Sequence, residues 1–460
     1  MSATPRPTVP HGPVAKSLLS LAWPVLVVLA LQTFVGIAET WFVSFLGTDA
    51  LAGVALVFPL FMLMTMMSNG GIGGGVSSAV ARARGAGRTS DAQALPLHAA
   101  AVGLVFGVLF AIGAWIGGPA LFRAMGARGE ALSSALLYSN VLFAAAIPGW
   151  IANLLAAALR GAGNVRVPAL VTAAGALITL VLSPLFIFGW GLVPRMGVAG
   201  AGAALIVFNV GSAAALIFYM RSARSSIRLI RTRLQSRLFG DILKVGLLSA
   251  IGTLVVNLTV VTTTGLVGAF GRDAIAGYGL ASRLDYLLIP LLFALGTASV
   301  TMVGTSVGAG QTALARKIAW TGAFLSTAAT AAIGLAAASF PQAWIQLFSV
   351  EPRVVETGSA YLARVAPFYA LFGAGMSLYF ASQGAGRMTW PFAAGVVRLA
   401  VVAIGGTYWV YGLHGSLNGL YWITAAGYLA FGAVNVFAMA SGLGWKRRPA
   451  LLDAPRPHSA

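Results

Sequence analysis

The stretch Ser17 to Gly47, SLLSLAWPVLVVLALQTFVGIAETWFVSFLG, is apolar for longer than a bilayer is thick, and it carries one ionisable side chain, Glu39. At 1.5 Å rise per residue, about 20 helical residues cross a hydrocarbon core of roughly 30 Å. A helix can live there because it satisfies its own backbone hydrogen bonds. An acid inside such a helix is costly and by default marks an ion, proton or substrate path. Eleven comparable blocks follow. The twelve spans are expected near 17–46, 52–81, 93–117, 131–159, 166–190, 197–220, 242–270, 275–304, 313–339, 354–383, 389–411 and 417–443. Several are long enough to tilt or to protrude from the bilayer.

Composition agrees with this pattern. Hydrophobic residues make up 58% of the 460 and charged residues 8%, too few for a soluble surface. The apolar runs do not alternate with polar residues, which favours helices over an outer-membrane barrel. Cysteine is absent and the four histidines, His11, His98, His414 and His458, are scattered. Neither a disulfide framework nor a thiolate or imidazole metal cluster is therefore expected, and no cofactor. An enzyme is not expected either, because lone acids cannot build a metal site. The net charge of +19 follows topology rather than a nucleic-acid partner. Twenty-one of the 29 Lys and Arg fall on one set of tails, loops and span ends, five on the other set and three within spans. This bias places both termini in the cytoplasm of an inner-membrane protein. The first span is expected to be retained, since no separate short apolar segment with a small-residue cleavage site precedes it.

The chain repeats itself. VSFLGTDALAGVAL (43–56) returns as VGAFGRDAIAGYGL (267–280), Gly85-Ala86-Gly87 as Gly308-Ala309-Gly310, and Gly161-Ala162-Gly163 as Gly384-Ala385-Gly386. The two glycine pairs share one offset, 308 − 85 = 384 − 161 = 223. Six spans per half make the halves parallel, related about the membrane normal. The expected class is thus an all-α polytopic membrane protein of twelve helices, in two six-helix lobes related by a pseudo-twofold along the membrane normal. The expected division is a cytoplasmic tail (1–16), an N-lobe (17–220), a basic linker (221–241), a C-lobe (242–443) and a second tail (444–460). Ile227, Leu229, Ile230 and Leu234 lie among six linker arginines, so an amphipathic helix on an anionic leaflet is expected there.

Further stretches carry a resemblance: ETWFVSFLGTDALAGVAL, GIGGGVSSAVARARGAG, ALRGAGNVRVP, PLFIFG, GVAGAGAA, FGRDAIAGYGLASRLDY, VGAG and YFASQGAGR. Together, in this order from about residue 17 to 443, they resemble the multidrug and toxic compound extrusion (MATE) family. The resemblance implies a two-lobed secondary antiporter exporting cationic or amphipathic compounds against proton or sodium influx. Glu39 stands where the proton-coupled branch usually has Asp. In ALITLVLSP, Thr179 and Ser183 stand where that branch has Asn and Asp, and its sixth-span Thr falls on Leu205. The sodium-coupled branch uses acids in the seventh and tenth spans. Here the seventh has none, and the tenth has no carboxylate after Glu356. Proton coupling is therefore expected, with sodium as the alternative.

The candidate coupling residues are Glu39, Thr179 and Ser183. Gln32 lies seven residues before Glu39, on nearly the same helix face. It joins Met64, Asn153, Asn209 and Asn257 as candidate cavity residues, each with interhelical packing or hydrogen bonding as the plainer alternative. Arg283, Asp285, Arg364 and Arg398 are a candidate C-lobe charge network. Arg283 and Asp285 point about 200° apart, so Asp285 needs a partner on another helix, such as Arg364 or Arg398. The glycines at 70, 71, 73, 74 and 75 serve close helix approach or a bend, not phosphate binding. The expected function is proton-driven export of cationic or amphipathic small molecules by a monomer among membrane lipids. The rival is a lipid-linked precursor flippase, in which the three intramembrane arginines hold a pyrophosphate.

Overall fold

The computed structural model describes residues 13–191 and 193–445. Arg6, Lys446, Arg447, Arg448, Arg456 and most of both expected tails lie outside the described residues. The N-terminal half contains α1 (Val14–Ser44), α2 (Thr48–Met66), α3 (Gly73–Gly85), α4 (Thr89–Ala124), α5 (Gly129–Ala144), α6 (Ala146–Gly161), α7 (Arg166–Phe188) and α8 (Val198–Arg221). The C-terminal half contains α9 (Ser236–Gly268), α10 (Arg272–Gly308), α11 (Thr312–Ser339), the short α12 (Pro341–Ile345), α13 (Pro352–Val365), α14 (Tyr369–Gly384), α15 (Thr389–Ala400) and α16 (Leu417–Ala440). Eleven helical segments among the described residues are long and apolar enough to cross a bilayer. The pair α5 and α6, bent by 47°, makes a twelfth.

Several of these helices are interrupted where the sequence removes a donor or a side chain. Pro148, in the first turn of α6, has no N–H to give the carbonyl of Ala144, and the fourth span breaks just there. A single 3-10 turn at Ala366–Phe368, containing Pro367, joins α13 to α14. Between α2 and α3 the glycine-rich Met67–Ile72 widens into a π-helical turn. The glycines beside it serve close approach. A Cβ on Gly71 would stand 2.9 Å from the Cα of Ala250, and one on Gly75 2.5 Å from the carbonyl oxygen of Ile242. Pro24 and Pro59 sit inside α1 and α2, which continue as helices through both.

The linker is not the amphipathic helix expected. Residues 222–235 are non-helical, and α9 already begins at Ser236, inside the segment assigned to the linker. Its polar backbone finds partners on α4 instead: the N–H of Arg228 donates to Gln93 Oε1 (2.6 Å) and that of Gln235 to His98 Nε2 (2.8 Å). Ile227 is buried and Leu229 packs on the N-terminal core, leaving only Ile230 and Leu234 exposed. That is too small an apolar face to favour a surface helix.

The lobes meet at the end carrying the Gly85–Arg88 and Gly308–Gln311 turns, and they meet reciprocally. A Cβ on Gly85 would collide with the carbonyl oxygen of Thr305, and one on Gly308 with that of Arg82. Thr305 and Arg82 are themselves related by the 223-residue offset. The Ser78 hydroxyl donates to the carbonyl of Gln383 (2.5 Å), while the Thr301 hydroxyl donates to that of Arg160 (2.9 Å). Ser78 with Thr301 and Arg160 with Gln383 are again repeat mates. A pseudo-twofold passing between these pairs produces this crossed pattern. Arg237 adds a two-pronged bond to Asp91, 2.6 Å at its shortest, at the same end. The helix α1 bridges the halves: Leu18 and Ala22 pack with Ala294, Met302 and Ala319, and Val43 belongs to the N-terminal core.

Candidate functional site

Between the lobes lies a cavity of about 350 Å³, lined from both halves of the chain. This is within the usual range for small-molecule sites, roughly 300–1,000 Å³. One face of α6 forms much of its N-lobe wall. Gly149, Asn153, Ala156 and Arg160 follow at spacings of four, three and four, which places them on one stripe. Gly149 and Ala156 supply room along that stripe, and Asn153 and Arg160 supply polar groups. Aromatic side chains close the sides: Phe61, Trp150 and Phe208 from the N-lobe, with Phe293, Phe380 and Phe392 from the C-lobe. Beneath lies a tighter space lined by Asn69, Ser77, Arg160, Thr297 and Gln383, next to the seam where the lobes touch.

Four of the five cavity candidates line this space: Gln32, Met64, Asn153 and Asn209. Asn153 donates to the Ser68 hydroxyl at 2.9 Å. The amide of Asn209 faces Gly149, where a Cβ would stand 3.1 Å from its oxygen. Asn257 does not line the cavity. Its amide donates to the Thr253 carbonyl one turn back on α9, so its own helix satisfies it.

Glu39 also lies off the cavity, and the coupling cluster is looser than the sequence implied. Its Oε1 is buried with no hydrogen-bond partner among the described residues. Thr179 and Ser183 are both buried on α7. Neither is bonded to Glu39: Thr179 donates to the Gly175 carbonyl at 2.9 Å, and Ser183 Oγ has no partner among the described residues. A threonine on a helix readily bonds back by one turn, which spends its hydroxyl proton but leaves the oxygen able to accept. Glu39 is also nearer an end than the apolar run suggested. It lies five residues before the end of α1, about 7.5 Å along the axis, whereas Gln32 is two turns deeper.

In the C-lobe the four charges do not pair with one another. Asp285 accepts hydrogen bonds from three tyrosine hydroxyls, those of Tyr361 (2.7 Å), Tyr428 (3.1 Å) and Tyr369. Arg398 stacks instead, its guanidinium 4.3 Å from the ring centre of Tyr428 and 5.3 Å from that of Phe372. Arg364 donates to the Ala360 carbonyl, and Arg283 lies over Phe348 at 5.5 Å. Asp285 therefore takes its hydrogen bonds from phenols, while Arg398 is near enough to act on it by charge without forming an ion pair. Because Phe372 lines the cavity, this cluster backs the C-lobe wall without reaching its surface. Among the described residues, no three His, Asp or Glu side chains gather as a metal site would require.

Arg160 is the functional candidate that sequence reading missed. It was grouped with the basic span ends because Gly161-Ala162-Gly163 follows it, yet it lines both the cavity and the space beneath. The spacing from Asn153, two turns earlier on the same face, was the available signal.

The sequence profile of the MatE family matches residues 24–185 and 249–409, one match in each half. A FAD transporter of Shewanella oneidensis is 26% identical over 367 residues, covering 76% of this chain and 79% of that protein. A probable multidrug resistance protein NorM of Thermotoga maritima is 25% identical over 425 residues, 90% of each chain. An outward-facing multidrug resistance MATE transporter superimposes with a TM-score of 0.88 at 24% identity, covering 97% of this chain and all of that one. A MATE crystal structure in a bent conformation gives 0.86 at 25% identity, with 94% and 95% covered. Two homologous lobes, a cavity between them and a profile match in each half lead to one conclusion: this chain belongs to the MatE family and is a multi-pass membrane transporter.

Proposed function

We propose that the chain exports amphipathic small molecules across the cytoplasmic membrane, driven by proton influx through Glu39, and that it works as a monomer by alternating access. The observation that carries this reading is the placement of α1. Val25, Val28, Leu29 and Gln32 on this helix form cavity wall, while Glu39, two turns beyond Gln32, holds a buried oxygen without a partner. A proton gained or lost there changes the electrostatics of the helix that shapes the cavity. The positive-inside bias puts the sealed end in the cytoplasm, so the cavity belongs to an outward-facing state. Support for monomeric action is that both walls of the cavity come from one chain.

Relatives named as multidrug resistance proteins support export, and one named as a FAD transporter widens the range of cargo. The cationic cargo implied by resemblance finds no carboxylate among the cavity-lining residues. The flippase reading relied on Arg283, Arg364 and Arg398, none of which lines the cavity. Reconstituted vesicles loaded with a fluorescent amphiphile test the proposal under separate pH and sodium gradients. The expected result is efflux driven by the pH gradient alone, lost in Glu39→Gln with binding retained. Undiminished pH-driven efflux by Glu39→Gln would sink the mechanism.

A further inference from the structure

We infer that the cavity selects amphipathic anions, flat aromatic bodies carrying a carboxylate, sulfonate or phosphate, with Arg160 as the residue that binds the acidic group. The inference deepens the export reading and rests on it for the direction of transport.

Three observations carry it. First, among the described residues that line the cavity Arg160 is the one formally charged side chain, and no Asp or Glu accompanies it. Second, its charge is unanswered: Nε is buried without a hydrogen-bond partner, and no acid pairs with the guanidinium among the described residues. A cation held away from water needs a counter-charge, and here the open space in front of it is the place for one. Third, the repeat supplies an internal control. Gln383, the C-lobe mate of Arg160, sits at the same floor and is neutral and satisfied, donating to the Gly70 carbonyl (2.9 Å) and the Ser249 hydroxyl (2.8 Å). The two lobes therefore differ at this position in the one property, a free positive fork, that recognises acidic groups bidentately.

The surroundings fix the rest of the ligand. Asn153 stands two turns from Arg160 on the same stripe of α6, about 10.5 Å along the axis, with only Ala156 between them on the face. Phe61, Phe208, Phe293 and Phe392 offer apolar and ring surface around it. The shape suits an aromatic body with its acid at the floor. A cation of the same shape meets a like charge in a site of low dielectric.

The test uses purified full-length protein and two xanthene dyes of similar body and opposite charge, fluorescein and rhodamine 6G, read by fluorescence anisotropy. Expected is binding of fluorescein at least about tenfold tighter than rhodamine 6G. Arg160→Gln should weaken fluorescein about ten- to hundredfold, or about 1.4–2.8 kcal/mol, and leave rhodamine 6G unchanged or tighter. Arg160→Lys should restore most of the loss. Should Arg160→Gln fail to fold, Ala156→Glu sets a carboxylate one turn before Arg160 on the same stripe, where it pairs with the guanidinium, and should abolish the preference for fluorescein. Equal or tighter rhodamine 6G binding by the unmodified protein overturns the inference. So does fluorescein affinity indifferent to folded Arg160→Gln or Ala156→Glu. Vesicle transport separates the two readings. If neither dye moves under a pH gradient while the binding pattern holds, the export reading fails and the charge assignment stands. If rhodamine 6G alone is exported, export stands and the charge assignment fails.

Discussion

Replacing Gly85 by alanine should open the seam between the lobes without unfolding either one. A Cβ at this position would press on the backbone of α10, 2.8 Å from the carbonyl carbon and 2.9 Å from the Cα of Thr305, and would overlap the carbonyl oxygen. Backbone cannot rotate away as a side chain can, so the two helices must separate by roughly half an ångström or more. Overpacking of this kind costs about 1–3 kcal/mol. Because the contact exists only when the seam is closed, that cost falls on the closed state, shifting the closed-to-open ratio by about five- to 150-fold at 1.4 kcal/mol per factor of ten. The chain contains no cysteine, so Ser90→Cys with Gln311→Cys gives two clean spin-label sites on exposed residues at the turns beyond the seam. Gly85→Ala should move the pulsed-resonance distance distribution toward longer separations, with little change in melting temperature. Gly308→Ala, the reciprocal contact, should do the same, and the double variant should fall short of the sum because the first substitution has already parted the helices. An unaltered distance distribution in folded Gly85→Ala and Gly308→Ala would refute the assignment of the seam as the closed gate.

Asp285→Leu should be severely destabilising, about 3–6 kcal/mol, because it strands the hydroxyls of Tyr361, Tyr369 and Tyr428 in the C-lobe; Tyr361→Phe removes one donor of three and should cost about half as much or less, both read from unfolding in detergent. Arg237→Ala should cost under about 1 kcal/mol despite its two-pronged bond to Asp91, since the arginine side chain is 53% exposed; a loss of several kcal/mol in the same assay would contradict this. Ser78→Ala and Thr301→Val should each favour the opened seam by about 1 kcal/mol, as each removes one of two related hydrogen bonds, and a change in only one of them by spin-label distances would break the symmetry argument.

The apolar runs and the repeat made the helices and the pairing of lobes legible, because lipid and the pseudo-twofold leave few other solutions. The bend at Ala145 was not read from the sequence, although its cause, Pro148, was in view. The linker misled for a physical reason: Ile227, Ile230 and Leu234 are spaced as one face of a helix, yet Ile227 packs with Leu229 against the N-terminal core while Gln93 and His98 take up the freed backbone. At the site, residue type within the spans, with helical spacing for Gln32, pointed to Gln32, Met64, Asn153 and Asn209, which all line the cavity. The sequence did not tell where charges settle, because that depends on partners from distant helices. Asp285 chose tyrosines over arginines, and Arg160 turned from a span end into a cavity floor.

Arg160 belongs to two structures at once. Its guanidinium lines the cavity, and its carbonyl accepts the Thr301 hydroxyl in the seam. Loading and latching are therefore written on one residue, and thermodynamic reciprocity joins them: by whatever factor a closed seam raises affinity for an occupant, the occupant strengthens the closed seam by the same factor. Gln383 carries the mirror-image latch, but its side chain is spent on Gly70 and Ser249. One half of the molecule thus senses cargo while the other only holds, so a near-symmetric machine reports its load from one side.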